Sequence, residues 1–327
     1  MKTVKEYKAE DTSGAKLEAT PEGLAWFQEA AYGLSVHWGL YSLIGHGEWV
    51  MHTEKIEHEV YRRLMKRFRA ERFSAEEWAD LMLESGQKFL FITTKHHDGF
   101  SLWDTKLSDF KVTNTPLGRD VIGELSEALS ARGLTLCYYY SLLDWTHPAY
   151  RNDWPAYVEY YQAQLKELLT DYGRVGAVAF DGYWPRQEFD ESDAYFAPGG
   201  KWDLAGTFDL IHGLQADTVI INNTHILPLK GEDCQIWELD LPGENKIGFN
   251  TTEVGDKAKA VWWNVNSGWS YTPASHSIKS AEDISAALQK ANALGATFLL
   301  NVGPRPWGDI HPDEARVLRE IKRGLKR

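Results

Sequence analysis

The sequence predicts a closed (β/α)8-like barrel, a TIM-type α/β fold in a single domain, on three observations. Short apolar runs typical of β-strands alternate along the chain with stretches of helical spacing. The runs are apolar almost throughout, which indicates a parallel sheet buried on both faces. The chain has 327 residues, and an eight-unit barrel needs about 250 residues plus insertions. We therefore expect residues 1–327 to form one barrel domain.

Eight apolar runs support this prediction: Tyr32–Val36, Phe89–Thr94, Leu134–Ser141, Val175–Asp181, Val219–Asn223, Gln235–Leu239, Val261–Val265 and Thr297–Val302. The sixth and seventh of these runs are the weakest. Helical spacing is found in Ser74–Glu84, Asp120–Arg132, Trp154–Tyr172, Trp202–Gln215 and Ala281–Leu294. A Ser three residues before Glu77 has the capping-box pattern of a helix start. A doubly wound open sheet is the alternative, but no GxGxxG motif follows the first run and no P-loop occurs.

Composition and charge oppose several classes of function. The net charge of −12 disfavours binding to nucleic acid or to an anionic membrane, because phosphate recognition requires a basic face. The polar N-terminal segment and the lack of any long apolar run predict a cytoplasmic protein that does not span a membrane. Two cysteines, Cys137 and Cys234, form neither a disulfide framework nor a four-ligand metal pattern. The 14 Trp and 15 Tyr suit a ligand pocket, although core packing also uses aromatic residues.

Polar motifs follow four successive apolar runs directly. They read HWG at 37–39, KHHDG at 95–99, LDW at 143–145 and FDG at 180–182. In a barrel, the carboxyl ends of the strands meet at one mouth, where active sites are built. Four consecutive strand ends that carry His, Asp and Trp therefore predict a functional site at that mouth.

These motifs also resemble those of a known family, the retaining α-L-fucosidases of glycoside hydrolase family 29. The similar segments are GLSVHWGLYS at 33–42, GEW at 47–49, FITTKHHDGFSLWDT at 91–105, YYYSLLDW at 138–145, AFDGYW at 179–184 and LLNVGP at 299–304. The resemblance implies that the barrel is catalytic and hydrolyses terminal α-L-fucosyl linkages of fucosylated oligosaccharides or glycoconjugates. It implies no metal and no organic cofactor.

The resemblance further implies a fucose pocket lined by His37, Glu48, Trp49, His96, His97 and Tyr140. A deoxyhexose needs polar partners for its hydroxyl groups and an apolar surface for its methyl group and C–H face. Tyr140 is preferred over its two neighbouring tyrosines because it lies nearest the end of the strand. For the histidines the alternatives are a metal site or buried structural imidazoles, but adjacent His96 and His97 on an extended strand would point in opposite directions. For Glu48 and Trp49 the alternatives are a loop carboxylate and a packing aromatic.

Retaining hydrolysis requires two carboxyl groups about 5–5.5 Å apart. Asp181 ends an apolar strand and matches the family's nucleophile, and a turn-capping Asp is the alternative. For the acid/base we predict Glu238, since Asp233 and Glu238 reproduce an Asp-x-x-x-x-Glu spacing found in some members, and it follows the apolar pair Ile236-Trp237. Glu232 and Glu244 remain the alternatives.

The chain departs from the family pattern in two places. Thr224-His225 stand where many relatives carry an Arg. We also expect the catalytic barrel to stand without the C-terminal β-sandwich that many relatives have. We expect loops or a second subunit to supply what the sandwich would add, so a homo-oligomer is compatible with the sequence. The aromatic cluster 262–271 resembles a late family motif and fits either the pocket or the barrel rim.

Two competing functions are compatible with the same residues. A metal-dependent barrel hydrolase could use His37, His96, His97 and Asp181, although the close His-x-His pair that would mark the first strand is missing. A catalytically inactive sugar-binding relative is the other alternative, and the presence of two candidate carboxyl groups disfavours it.

Overall fold

Eight parallel strands close into a barrel in the order in which they occur along the chain. The computed structural model describes residues 9–184 and 200–325, the side chains as far as residue 321. The strands are β1 Tyr32–Val36, β2 Phe89–Lys95, β3 Thr135–Ser141, β4 Val175–Asp181, β5 Val219–Asn222, β6 Cys234–Glu238, β7 Ala258–Asn264 and β8 Ala296–Val302. The predicted barrel is confirmed. β7 begins three residues before the predicted start, because Ala258 and Ala260 are small interior residues that a search for strongly apolar runs overlooks.

The helices of the described residues surround this barrel. They are α1 Pro21–Ala30, α2 Val50–Thr53, α3 His58–Arg62, α4 Ala75–Ser85, α5 Val121–Ser130, α6 Pro148–Asn152, α7 Trp154–Asp171, α8 Leu204–Leu214, α9 Ala281–Ala293 and α10 Pro312–Leu325. At the start of α4 the Ser74 hydroxyl accepts a hydrogen bond from the backbone N–H of Glu77, as the capping pattern predicts. None of these helices is both long enough and apolar enough to cross a membrane.

Alternation along each strand separates two apolar layers. In β2, Phe89 and Phe91 pack inside the barrel, whereas Leu90 and Ile92 pack outward against the helices. The interior is filled by a compact set that includes Ala177 of β4. Successive side chains point to opposite faces of a strand, so the inward face of each strand leads directly to the mouth of the barrel. This geometry brings the last inward residue of each strand into one site.

Candidate active site

A pocket with a cavity volume of about 160 Å³ opens at the carboxyl ends of the strands. Its lining residues are His37, Glu48, Trp49, His96, Tyr139, Asp181, Trp184, Asn223, His225, Glu238, Phe249, Trp262 and Trp269. Six of the predicted site residues are on this surface, and Trp262 and Trp269 show that the late aromatic cluster contributes to the pocket.

Asp181 ends β4 with its carboxylate held from two sides. The hydroxyl group of Tyr139 donates to Oδ2 at 2.8 Å, and the backbone N–H of Gly182 donates to Oδ1 at 2.9 Å. Gly182 adopts a φ of 94°, and a Cβ there would lie 2.6 Å from Leu143 Cγ. Only glycine tolerates both this conformation and this contact. At this Asp-Gly pair the chain therefore turns away from the pocket, while the backbone N–H of Gly182 points back at the Asp181 carboxylate.

Asn223 joins the two candidate catalytic carboxyl groups. Its Nδ2 lies 2.9 Å from Oε2 of Glu238 and 3.4 Å from Oδ1 of Asp181. These two oxygens therefore cannot lie more than about 6 Å apart, which is compatible with the separation of about 5–5.5 Å in retaining glycosidases. Asn223 follows the end of β5, between the strands that carry the two acids. The ends of three adjacent strands thus bring Asp181, Asn223 and Glu238 together.

Burial raises the pKa of both carboxyl groups, by different amounts. Burial raises the pKa of Asp181 to about 6, and hydrogen bonds from Tyr139, Gly182 and Asn223 limit the increase. The pKa of Glu238 rises to about 7, since burial outweighs the bond from Asn223 and the charge of Asp181 raises it further. Between these values Asp181 is mostly ionised and Glu238 mostly protonated. This is the division of states that a nucleophile and a general acid require.

The pocket histidines are neutral. Burial lowers the pKa of His37 to about 4, and it lowers the pKa of His96 and of His97 well below the usual range. The Nδ1 atom of His37 lies 2.7 Å from Oδ1 of Asn301, and that oxygen can only accept. His37 therefore carries its proton on Nδ1 and leaves the lone pair of Nε2 as an acceptor.

Tyr140 does not line the pocket, so this part of the predicted site is wrong. Its hydroxyl group donates to Oε1 of Gln164 at 2.7 Å, in the layer between barrel and helices. Tyr139 faces inward instead, in the same interior layer as Cys137, and contacts Asp181. The strand alternates with a period of two, so the residue nearest the end need not be the inward one. Counting inward positions from Cys137 would have selected Tyr139.

The two adjacent histidines do not point in opposite directions, contrary to expectation. The strand ends at Lys95, and the rings of His96 and His97 come to lie 4.1 Å apart between their centroids. His96 stacks on Tyr139 in the pocket wall. His97 lies behind that wall, with Nδ1 2.6 Å from the Ser141 hydroxyl and Nε2 3.8 Å from Oδ2 of Asp181. Because His97 is neutral, this last contact is not an ion pair.

The alternative acids lie away from the pocket. Glu232 is buried and accepts hydrogen bonds from the Asn222 amide and from the backbone N–H of Leu229. Glu244 pairs with Lys246 at the surface, with Nζ and Oε2 2.6 Å apart. Among these three Glu residues, Glu238 is the one on the pocket surface. Its role as acid/base nevertheless stays a prediction, as does that of Asp181.

Asn223, His225 and Phe249 line the pocket, but the sequence analysis assigned none of them a role. Asn223 carried a usable signal, because it is the last residue of the fifth apolar run. Phe249 lies in a polar loop segment and carried none.

Within the parts of the chain that the structure describes, one group has the spacing to bind a metal ion: His276, His311 and Asp313. None of the three lines the pocket. The amide group of Asn266 donates to Nδ1 of His276, since two backbone N–H groups already occupy its Oδ1. The proton of a neutral His276 is then on Nε2, which disfavours metal binding there.

A closed barrel with a pair of carboxyl groups in an aromatic pocket is the arrangement that retaining glycoside hydrolases use. Comparison with known proteins agrees with this class. The family model described as Alpha-L-fucosidase matches residues 1–327. The chain belongs to the α-L-fucosidase family.

Individual relatives are similar over most of this chain. Tissue α-L-fucosidase of Homo sapiens is 28% identical over 312 residues, which cover 88% of this chain and 64% of the human protein. The chain therefore spans less than two thirds of that relative. Among solved structures, α-L-fucosidase isoenzyme 1 from Paenibacillus thiaminolyticus has a TM-score of 0.81 and 30% identity, covering 93% of this chain and 75% of its own. An α-L-fucosidase from Lactobacillus casei, in complex with its α-L-fucose product, has a TM-score of 0.76 and 26% identity, covering 93% of this chain and 98% of its own.

Proposed function

We propose that this chain is a retaining α-L-fucosidase that hydrolyses terminal α-L-fucosyl linkages. The observation that carries the proposal is the pair of carboxyl groups of Asp181 and Glu238. Asn223 bridges the two groups, and burial raises their pKa values to different levels. Membership of the family supports the choice of sugar.

The reaction proceeds in two displacements. In the first, ionised Asp181 attacks the anomeric carbon of the fucosyl group, while protonated Glu238 gives its proton to the departing glycosidic oxygen. A covalent fucosyl-enzyme and a free alcohol result. In the second, ionised Glu238 takes a proton from water, and the hydroxide oxygen displaces Asp181 from the anomeric carbon. L-Fucose is released with its α configuration retained, and both carboxyl groups return to their starting states.

Two features of the pocket suit a neutral deoxyhexose. The neutral imidazoles on its surface offer acceptor nitrogens, to which sugar hydroxyl groups can donate, and the buried Nδ1 of His96 has no protein partner among the described residues. Indole rings of Trp262 and Trp269, together with Tyr139, provide apolar surface for C–H groups. Removing the His37 ring should weaken fucose binding by about 1–3 kcal/mol, because a hydroxyl group loses its partner.

A panel of nitrophenyl glycosides tests the activity and the choice of sugar together. We expect turnover of the α-L-fucoside alone, and proton NMR during hydrolysis should show α-L-fucose as the first-formed product. Asp181→Gly should lower turnover by several orders of magnitude, and azide should partly restore it with formation of β-fucosyl azide. First-formed β-L-fucose, or full activity of Asp181→Gly, would refute the assignment.

Activity that survives prolonged chelation would eliminate the metal-dependent alternative. Absence of turnover with retained fucose binding would instead support the inactive sugar-binding alternative. The cytoplasmic location stays a prediction, which fractionation of the source cells tests.

A further inference from the structure

His225 and Phe249 form an aromatic edge of the pocket. Their ring centroids lie 4.4 Å apart, with the planes inclined by 60°. His225 is 4% exposed and adopts a φ of 60°, a conformation that non-glycine residues rarely take. Such a conformation persists only where surrounding contacts impose it. Here the backbone carbonyl of His225 accepts a hydrogen bond from the N–H of Thr251 at 3.0 Å.

This edge is attached to Glu238 through Asn250. The Asn250 amide donates to the backbone carbonyl of Glu238 at 2.8 Å, and its Oδ1 lies 3.3 Å from the backbone nitrogen of the same residue. The same Oδ1 faces Nδ1 of His225 at 3.4 Å. Asn250 thus holds the His225 ring beside the proposed acid.

Another part of the pocket surface is a different cluster of rings. His37 packs against His96, Tyr139, Trp262 and Trp269, with centroid distances of 5.1 to 5.9 Å. Those residues come from the ends of β1, β2 and β3 and from β7 and the loop after it. The acid must stand between the sugar that is cleaved and the group that departs, because it protonates the oxygen joining them. With fucose on the His37 cluster, the departing group therefore meets the edge beside Glu238.

The charge of the pocket restricts that group. Glu48, Asp181 and Glu238 are on its surface, and no Lys or Arg is among the described lining residues. Burial lowers the pKa of His225 to about 4, so this ring adds no positive charge near neutral pH. An anionic substituent would meet the ionised carboxylate of Asp181 without a compensating cation, which is unfavourable in a partly buried site.

Building on the proposed hydrolysis, we propose that His225 and Phe249 form the leaving-group subsite and that it takes an uncharged pyranose. The flat face of Phe249 suits the C–H face of a sugar ring. Hydrogen bonding of Nδ1 to Asn250 leaves Nε2 of His225 as an acceptor for a sugar hydroxyl group.

Three substrates separate this subsite from the fucose site: α-L-fucosyl fluoride, a neutral fucosyl-galactose disaccharide, and the same disaccharide sulfated on galactose. Fluoride is too small to reach the subsite. Phe249→Ala should lower kcat/KM about tenfold on the neutral disaccharide, the loss expected for one stacking contact, with little change on the fluoride. His225→Asn should act in the same direction and keep the fold, since Asn tolerates positive φ. Trp307→Ala, which removes an exposed aromatic residue outside the pocket, is the matched control.

The outcomes distinguish the two levels of the proposal. Wild-type protein that hydrolyses neither the fluoride nor the disaccharide would overturn the fucosidase function itself. Wild-type turnover with equal losses on both substrates, or with no loss on either, would overturn only the subsite. If the sulfated disaccharide is cleaved as efficiently as the neutral one, the preference for an uncharged group is wrong.

Discussion

Replacement of Asn223 by Ala should move the pH dependence of kcat/KM to higher pH. The Asn223 amide donates to Glu238 and to Asp181, and both bonds favour the ionised carboxylates. Loss of the donor should therefore raise both pKa values. The bond to Glu238 is the shorter, so its pKa should rise more, from about 7 by about one unit, which corresponds to roughly 1.4 kcal/mol.

The effect can be read on the basic limb of the profile, where loss of the acid's proton abolishes activity. With a pKa of about 7, roughly a tenth of the Glu238 groups are protonated at pH 8, and an increase of one unit raises this to roughly a half. Activity at pH 8, relative to the maximum of each protein, should thus increase about fourfold. The acidic limb, which reports the Asp181 pKa of about 6, should move to higher pH by a smaller amount.

The assay is kcat/KM of a fucosylated oligosaccharide from pH 4 to pH 9, since this ratio reports groups of the free enzyme and a poor leaving group depends on the proton of Glu238. The matched control is Asn222→Ala, because the neighbouring Asn222 side chain donates to Glu232 and not to the catalytic pair. The control should keep both limbs in place even if it is less stable. A basic limb that stays fixed or moves to lower pH in Asn223→Ala would refute the bridging role.

Three further predictions test particular parts of the structure. Tyr139→Phe should move the acidic limb to higher pH, because the carboxylate of Asp181 loses a hydrogen-bond donor. Tyr140→Phe should leave both limbs in place. Equal pH profiles of the two variants would contradict the inward placement of Tyr139. Glu238→Ala should lose far more activity on a fucosylated oligosaccharide than on a nitrophenyl fucoside, and Glu232→Ala should show no such selectivity; the reverse pattern would reassign the acid. Asp144→Ala should lower the free energy of unfolding by about 3–5 kcal/mol in urea titration, since a fully buried lysine loses its partner, and a loss below about 1 kcal/mol would contradict that ion pair.

Most pocket motifs could be located from the sequence, because a parallel barrel places every strand's carboxyl end at one mouth whatever the intervening loops do. The resemblance then supplied the roles. It could not decide which of two adjacent side chains faces inward. Tyr140 was predicted because it lies nearest the end of the strand, whereas alternation with a period of two, counted from the interior residue Cys137, places Tyr139 inward.

The sequence by itself determined the barrel and the strand ends that carry Asp181 and Glu238. Both follow from local patterns: the apolar runs and the polar residue that ends each run. Only the tertiary structure decided that Asn223 bridges those two acids and that His225 meets Phe249. These contacts join residues 15 to 42 positions apart, and their distances depend on strand register and loop paths, which no local pattern encodes.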